Sequence, residues 1–551
     1  MANTKNKKQE LKVNSFLIPA FCFLMFFAPL LSLAQAPPPQ GGSNVQLGSK
    51  KIRIVKAGTL KAAKQIAEGA ERLIDDVEFE HQNVLMFCDS AYFYKDNSLD
   101  AFGHVHIVQN DTIHLYGDLL KYNGNTRIAV LTHNVVVNKG DMHLTTEEMN
   151  YNVGTSVGSY VTPARIVNKD NVLTSDQGYF FSKTNDLTFK KNVVLTNPQF
   201  IINCDTMRYN TTSKVTYFIG PTTIKSKDNL IYCEDGWYDT FHDLSRFSKN
   251  AYILTQQQKM FGDSLYYDRN QGIGRAVKHV QMIDTAQKIN IYGDFAIHYE
   301  YKDLSVITGN TLLTQRYEKD TLYLHADTLK AQGDAPKIKP DKSKKVSAAS
   351  GALYKPSPAD TAKTDHQKLF AYHKVKFFKR DMQGKCDSLI YTTIDSIMHL
   401  YGSPILWSDA NQLTSDSMRL TTGSKSLKYI ELFGTGFIVS AEDSVRYNQI
   451  RGKYMKGYFS ENKLVRVNVE GNGQTIYYAK EKQEIKAVNR ADCTDLHIFL
   501  KDNQIDRIVF LTKPEASLYP LDKVELKELK LKDFSWRYTE RPLSFKDIFI
   551  W

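Results

Sequence analysis

An acidic residue recurs in this chain at a strict interval of 29 residues, and three other residue types recur with it. An aliphatic residue lies three positions before each acid, a small or modest residue one position before it, and an aromatic residue four positions after it. The seven acids are Asp89, Asp118, Glu147, Asp176, Asp205, Glu234 and Asp263. A fixed period of this length indicates a chain that stacks one supersecondary unit many times.

The accompanying residues form three columns. The aliphatic column is Met86, Leu115, Leu144, Leu173, Ile202, Ile231 and Met260. The aromatic column is Phe93, Tyr122, Tyr151, Phe180, Tyr209, Tyr238 and Tyr267. The small column is Cys88, Gly117, Thr146, Ser175, Cys204, Cys233 and Gly262. The acidic motif continues with looser spacing at Asp294, Asp327, Asp387 and Asp416, so the repeat reaches at least residue 416.

One unit shows the local plan. Residues 113–122 and 127–136 are rich in β-formers and are separated by Asn123-Gly124-Asn125, a turn sequence whose residues tolerate positive φ. Neighbouring units repeat this plan, and apolar periods of helical length are almost absent. The sequence therefore predicts an all-β fold, an elongated repeat of two-strand units with at least twenty strands.

The columns also predict a change of direction at the acid. Side chains alternate along a strand, so the aliphatic and small columns share one face while the aromatic column falls on the other. A bend or bulge at the acid would explain this switch, and the acid could cap backbone N–H groups exposed there. We interpret the seven acids as structural bend residues and predict no catalytic residue, because a catalytic pair is needed once and not in every unit.

The first residues indicate export. Residues 1–36 have a lysine-rich start, an apolar stretch and the small-x-small sequence Ala34-Gln35-Ala36, as in a cleaved signal peptide; an uncleaved membrane anchor is the alternative. Removal of 1–36 takes away four lysines and one glutamate and leaves an excess of eight basic residues. This excess suits anionic surfaces or lipids, or an ordinary solvated surface, and no nucleic-acid motif is present.

Cysteine and histidine give no framework for metal or redox chemistry. Five cysteines follow the signal, and four of them (Cys88, Cys204, Cys233 and Cys386) directly precede a motif acid, as small buried residues would. A disulfide between Cys204 and Cys233 is the alternative if neighbouring units stack. His104 and His106 alternate along one strand and could form a surface metal site, or be an incidental pair. We predict neither a resident metal nor a cofactor.

Composition divides the remaining chain. Residues 37–50 and 332–366 are rich in Pro, Ser, Gly or Lys and read as a flexible lead and a disordered insertion or linker. We therefore expect a first β-repeat domain over 51–331, a second over 367–520 and a C-terminal tail over 521–551.

The units resemble the OstA/LptA family of periplasmic lipopolysaccharide transport proteins. The segments that carry this resemblance are DTIHLYGDLLKYN, MFGDSLYYDRN and LYLHADTLKA, with the following strands GHVHIV, HNVVV and KNVVL. The stretch from KCDSLIY to SDSMRL and the tail FSWRYTERPLSFKDIF are similar to long OstA-like proteins of Bacteroidetes-type Gram-negative bacteria. The resemblance covers most of 75–440 and the tail.

The resemblance implies an open β-jellyroll groove that shields lipopolysaccharide acyl chains during passive transfer to the outer membrane. It implies a periplasmic location, an association with the outer membrane, and like-folded transport partners at both membranes that join by strand edges; a homo-oligomer stays open. Within that groove we expect the aliphatic column to face the lipid and the tyrosines to lie nearer the rim or between units.

Three other functions remain open from the residues. A structural or adhesive envelope scaffold would share the fold and lack the lipid. A polysaccharide-acting enzyme would need a local cluster of carboxylates, whereas the acids here are evenly spaced. An outer-membrane barrel would need an uncharged lipid-facing column, whereas these strands carry charges on both parities, as at Lys190 and Lys191.

Overall fold

The computed structural model describes residues 51–62, 69–227, 229–255, 258–285, 288–317, 320–333, 367–392, 394–423, 427–460, 463–481, 484–501, 504–525, 527 and 529–551. The expected signal peptide, the flexible lead and almost all of the insertion lie outside these residues. The described residues fall into two compact units. We call them the N-terminal unit (to residue 256, with 263–271) and the C-terminal unit (257–262 and 272–551).

The described part of the chain holds thirty-six strands, which confirms the all-β repeat. Those of the N-terminal unit are β1 Arg53–Lys56, β2 Thr59–Ala62, β3 Glu71–His81, β4 Val84–Phe93, β5 Ser98–Gln109, β6 Ile113–Asn123, β7 Ile128–Lys139, β8 Met142–Asn152, β9 Val157–Tyr160, β10 Ala164–Asn168, β11 Asn171–Ser175, β12 Gln177–Phe181, β13 Asp186–Asn197, β14 Phe200–Asn210, β15 Val215–Ser226, β16 Leu230–Asp239 and β17 Leu244–Leu254. Strand β18, Gln258–Asp268, has residues in both units.

The C-terminal unit continues the same pattern of strands. They are β19 Ile273–Asp284, β20 Ile289–Tyr299, β21 Leu304–Thr308, β22 Leu312–Arg316, β23 Thr321–His325, β24 Thr328–Gly333, β25 Gln367–Lys379, β26 Met382–Thr392, β27 Ile397–Tyr401, β28 Ile405–Ser408, β29 Asn411–Thr414, β30 Ser417–Thr422, β31 Leu427–Ala441, β32 Tyr447–Ser460, β33 Lys463–Glu481, β34 Glu484–Lys501, β35 Gln504–Phe510 and β36 Glu515–Pro520. Short 3₁₀ helices lie at Glu300–Lys302, Leu521–Lys523, Tyr538–Glu540 and Phe545–Phe549.

A bulge lies opposite the repeated acid. Consecutive long strands pair antiparallel, and the register shifts where the acid stands. Glu147, for example, is the single residue of β8 that faces both His133 and Asn134 of β7. These two have φ values of 65° and 51°, in the left-handed region. The extra residue therefore belongs to the partner strand and not to the strand that carries the acid.

The bulge changes which side chains are buried. On β6, Leu115 and Gly117 are buried before the acid, and Leu120 and Tyr122 after it, so the buried parity switches at Asp118. Both halves of each long strand thus direct side chains to the interior, although the buried positions have opposite parity in the two halves. The Tyr122 hydroxyl lies 2.6 Å from Nδ1 of His81, at the far end of β3, so the two halves of the folded sheet face each other across an interior.

This geometry corrects the expected position of the tyrosines. Tyr122, Tyr151, Tyr209, Tyr238 and Tyr267 are only 2–7% exposed, so the expectation that they lie nearer the rim is wrong. Both columns point inward because the strand turns at the acid. The hydroxyl groups of Tyr122 and Tyr151 have buried partners, and that of Tyr151 donates to the Gln109 side chain.

The strands that flank residues 334–366 pair with each other. Strand β24 lies antiparallel to β25, with Leu329 opposite Ala371, and Leu324 of β23 lies opposite Phe377. The ladder therefore continues across the segment that we expected to separate two repeat domains. The compact units divide elsewhere, near residues 257–272.

Candidate functional site

The N-terminal unit contains a partly open, mainly apolar cavity of about 90 Å³ between the two halves of its sheet. Its apolar lining is Met142, Ile166, Leu173, Leu187, Phe189, Leu195, Phe200, Ile202, Met207, Tyr209, Phe218 and Tyr238. Its polar lining is Asn168, Asn171, Thr216 and Thr240. The mainly apolar walls of this cavity favour hydrocarbon over water.

Strand β14 shows how the fold builds this wall. Phe200 and Ile202 precede the acid Asp205, and Met207 and Tyr209 follow it; all four line the cavity. They can do so because the buried parity switches at Asp205, where Lys191 and Asn192 of β13 form the bulge. The same turn that folds the sheet therefore presents both halves of one strand to the cavity.

The cavity wall carries no charge at neutral pH. Burial raises the pKa of the Tyr209 hydroxyl to about 12, and burial together with the nearby Asp243 carboxylate raises the pKa of Tyr238 as well. At the polar end, Asn197 donates through Nδ2 to Oδ1 of Asn171 at 2.9 Å, away from solvent. The arrangement suits a neutral apolar ligand and offers no group poised for acid–base chemistry.

The predicted aliphatic column is divided by the structure. Leu173 and Ile202 line the cavity, whereas the other members do not. Six members are buried, at 0–8% exposure: Met86, Leu115, Leu144, Leu173, Ile202 and Ile231. Met260 is half-buried. Six of the seven members are therefore in the interior, and two middle members, Leu173 and Ile202, reach the open space within it.

The acids lie at the sheet corners and not in the cavity. Asp89, Asp118, Glu147, Asp205 and Asp263 are exposed, and Asp176 and Glu234 are half-buried. Three of them accept a hydrogen bond from an asparagine sixteen residues later: Asn134 to Asp118, Asn192 to Asp176 and Asn250 to Glu234, at 2.7–2.8 Å. Each asparagine is a left-handed bulge residue, so these bonds join side chains where we had expected backbone N–H partners.

The cysteines and histidines form no reactive centre among the described residues. Cys88, Cys204, Cys233, Cys386 and Cys493 are buried and free, so the alternative disulfide between Cys204 and Cys233 is wrong. His104 lies 2.7 Å from an Asp89 oxygen, while His106 lies 3.2 Å from His114, so the structure separates the predicted pair. No group of three or more His, Cys, Asp or Glu side chains in the described ranges could hold a metal.

Seven of the sixteen lining residues lie on β10, β13 and β15, the strands between those that carry the acids. Leu187, Phe189 and Leu195 on β13, and Phe218 on β15, had no place in the columns. The sequence does hold a sign of the β13 residues: apolar and polar residues alternate in DLTFKKNVVL. The two bulge residues Lys191 and Asn192 interrupt this alternation. Because two left-handed residues interrupt the alternation without a glycine, this stretch does not read as one continuous strand.

Comparisons with known families agree with this geometry. Residues 49–205 match the family described as OstA-like protein. Residues 279–426 match the family described as LptA/(LptD N-terminal domain) LPS transport protein. No curated protein matches the chain. In the described residues, no helix has the length and apolar character needed to cross a membrane.

Proposed function

Because this chain is an OstA/LptA-like protein, we propose that it binds lipopolysaccharide acyl chains between the two halves of its N-terminal unit. In this role it is a periplasmic bridge for passive transfer towards the outer membrane. The observation that carries the proposal is the neutral apolar cavity, whose wall includes Leu173 and Ile202 of the repeated column. Each buried methylene contributes about 0.8 kcal/mol, so a short acyl segment suffices for retention.

The size of the cavity sets the mode of binding. A volume of about 90 Å³ holds a short stretch of hydrocarbon and not a whole lipid. The rest of the ligand would lie along neighbouring units, whose aliphatic columns offer similar apolar surface. Many sites of similar affinity favour sliding over trapping, which suits a bridge.

The proposed partners follow from the same fold. Strands β1 and β2 both pair with β3 near the start of the ladder, and β35 and β36 both pair with β34 near its end. These edge strands could add to like-folded transport proteins at the inner and outer membranes. A homo-oligomer through the same edges is the alternative assembly. The signal peptide that the sequence predicts over 1–36 would direct the chain to this proposed periplasmic location.

A matched pair of variants tests lipid binding. Thr216 lines the cavity from β15, and Thr223 lies on the opposite face of the same strand. We expect Thr216→Trp to fill the cavity and weaken binding of fluorescently labelled lipopolysaccharide by about tenfold, the equivalent of roughly two lost methylene contacts. Thr223→Trp should leave binding unchanged. Equal affinities for both variants would contradict binding in the cavity, and an unaltered chain that binds no lipopolysaccharide would favour an envelope scaffold.

A further inference from the structure

The tail of the C-terminal unit forms a strap across its sheet. Residues 529–551, which we call the strap, contain two short 3₁₀ helices and no strand. Leu529 and Leu531 are 5% and 4% exposed and pack with a buried apolar cluster of the sheet. That cluster consists of Phe437, Val439, Ile476, Tyr478 and Val488. The strap is therefore a seated segment and not a loose end.

The strap lies on the face of the sheet that points away from the interior. Leu413 stands three residues before Asp416 and so belongs to the inward-facing aliphatic position of the repeat. Its neighbour Gln412 must face the other way, because side chains alternate along a strand. The residues of β28 are all buried, which requires a cover on both faces. The strap supplies the outer cover.

Two buried glutamines bind the main chain of the strap in the same way. Gln449 donates through Nε2 to the Leu529 carbonyl at 2.9 Å and accepts from the Leu531 amide through Oε1 at 2.9 Å. Gln412 donates to the Ser535 carbonyl at 2.8 Å and accepts from the Arg537 amide at 2.7 Å. In both cases one side-chain amide joins a carbonyl and the N–H two residues later. It thereby reproduces the pairing that a neighbouring strand would offer.

The two glutamines recognise the main chain of the strap. Gln412 and Gln449 are each 1% exposed, and a buried amide without a partner costs about 1–3 kcal/mol. Their polar atoms are satisfied by main-chain groups in two short stretches, Leu529–Leu531 and Ser535–Arg537, whatever side chains these carry. A turn joins the two stretches, in which the Phe534 amide donates to the Leu531 carbonyl. Side-chain selection is added by the apolar cluster, which takes Leu529 and Leu531, while the intervening Lys530 is exposed.

Charged contacts fix the register of the strap. Arg451 pairs with Asp533 at 2.9 Å, and Lys385 pairs with Glu540 at 2.6 Å. Further along, the Arg541 guanidinium donates to the Asp409 carbonyl at 2.8 Å. Such contacts at the edge of the strip set position along the sheet more than they add affinity.

We propose that the outer strip around Gln412 and Gln449 is a binding site for a peptide of the strap's own form, with two short main-chain stretches joined by a turn and a leucine at each end of the first stretch. The strap is its resident ligand. The site is separate from the lipid cavity, and it holds its ligand chiefly through the main chain. A peptide of the strap's sequence can therefore occupy the strip when the strap is displaced.

Backbone-modified peptides test this site on the full-length chain. In the variant Leu529→Asp, Leu531→Asp, the strap is weakened and the strip becomes accessible. We expect a fluorescein-labelled peptide of residues 529–541 to bind this variant and not the unaltered chain. N-methylation of the peptide at Leu531 and Arg537 removes the two donated N–H groups and should abolish binding.

Matched controls decide the outcome. N-methylation at Lys532, whose amide bonds to neither glutamine, should preserve peptide binding. The chain variant Leu543→Asp changes a strap residue that is 67% exposed and should bind no peptide. The proposal is overturned if the doubly methylated peptide binds as well as the unmodified one. It is also overturned if the folded strap variant binds no peptide.

Hydrogen exchange gives a second test that does not depend on the strap variant. Gln412→Met should speed amide exchange at Arg537 by about fivefold, the equivalent of about 1 kcal/mol, and leave Leu531 unchanged. Gln449→Met should do the reverse. Unchanged exchange at both amides would contradict main-chain recognition. Since neither measurement uses lipid, failure here is distinct from failure of the proposed lipid function.

Discussion

Asn134 donates through Nδ2 to Oδ2 of Asp118 at 2.7 Å, and this bond joins the repeated acid to the bulge that folds the sheet. Asn134 has a φ of 51°, which asparagine tolerates better than most residues. The same relationship recurs at Asp294 and Asn310, at 2.8 Å. The acid of one strand thus accepts a hydrogen bond from the left-handed bulge residue of the next strand.

Replacement of Asn134 separates the hydrogen bond from the backbone strain. Asn134→Gly loses the bond but accepts positive φ, whereas Asn134→Ala loses the bond and adds roughly 1 kcal/mol of left-handed strain. We expect the alanine variant to be less stable than the glycine variant in urea denaturation. Equal stabilities would show that the corner does not enforce this conformation.

Loss of the acid itself should affect stability and not binding. Asp118→Ala removes the acceptor of the Asn134 bond at an exposed corner, so we expect a loss of about 0.5–1.5 kcal/mol. Lipid binding by the protein that remains folded should persist, because Asp118 lies outside the cavity. Abolished binding with an unchanged melting curve would instead assign a chemical role to the acid.

A buried ion pair in the C-terminal unit makes a second stability test. Glu431 is 5% exposed and accepts from Arg419 through both oxygens, at 2.7 and 2.9 Å. Arg419→Met leaves that carboxylate without its main partner, and we expect a loss of about 1–3 kcal/mol, since Arg419 is itself partly exposed. A variant as stable as the unaltered chain would show that Tyr454 and Lys456 replace the arginine.

The same carboxylate predicts a pH dependence. Burial alone would raise the pKa of Glu431, but the hydrogen bonds from Arg419 and Tyr454 outweigh it and hold the pKa below its ordinary 4.5. A depressed pKa in the folded state contributes stability above the unfolded value, and this is lost as pH falls through the folded value. We expect the stability difference between the unaltered chain and Glu431→Gln to shrink on acidification below pH 4.5. A constant difference would contradict the ion pair.

The cysteines provide a chemical test of burial. Burial raises the pKa of Cys204 and Cys233 to about 12, so both are protonated thiols in the folded protein. We expect iodoacetamide to leave the native protein unmodified and to alkylate all five cysteines of the signal-cleaved chain after unfolding in urea. Alkylation of only three after unfolding would reveal a Cys204–Cys233 disulfide.

The sequence predicts the repeat, its strands and the change of face at the acid, because these follow from local period and parity. The burial of Tyr122 does not follow, since its hydroxyl partner His81 is 41 residues away and belongs to the opposing half of the sheet. Two inward-facing columns become compatible only when the sheet folds back on itself.

The glutamines of the strip show a second limit. Gln412 and Gln449 read as ordinary polar strand residues. Their burial depends on strap residues that lie 123 and 80 positions downstream, respectively. A polar side chain whose partner is the main chain of a distant segment leaves no local pattern. The cover over the outer face of the sheet is indicated only by the structure, in which both faces of β28 are buried.

Photo-crosslinking at two adjacent isoleucines tests the central claim most directly. Ile202 is 1% exposed and lines the cavity, while its neighbour Ile201 is 41% exposed on the outer face of the same strand. A photo-crosslinking amino acid at position 202 should capture lipopolysaccharide in cells, and the same group at position 201 should capture little. Equal capture at both positions, or none at 202 in a folded protein, would contradict lipid binding between the two halves of the sheet.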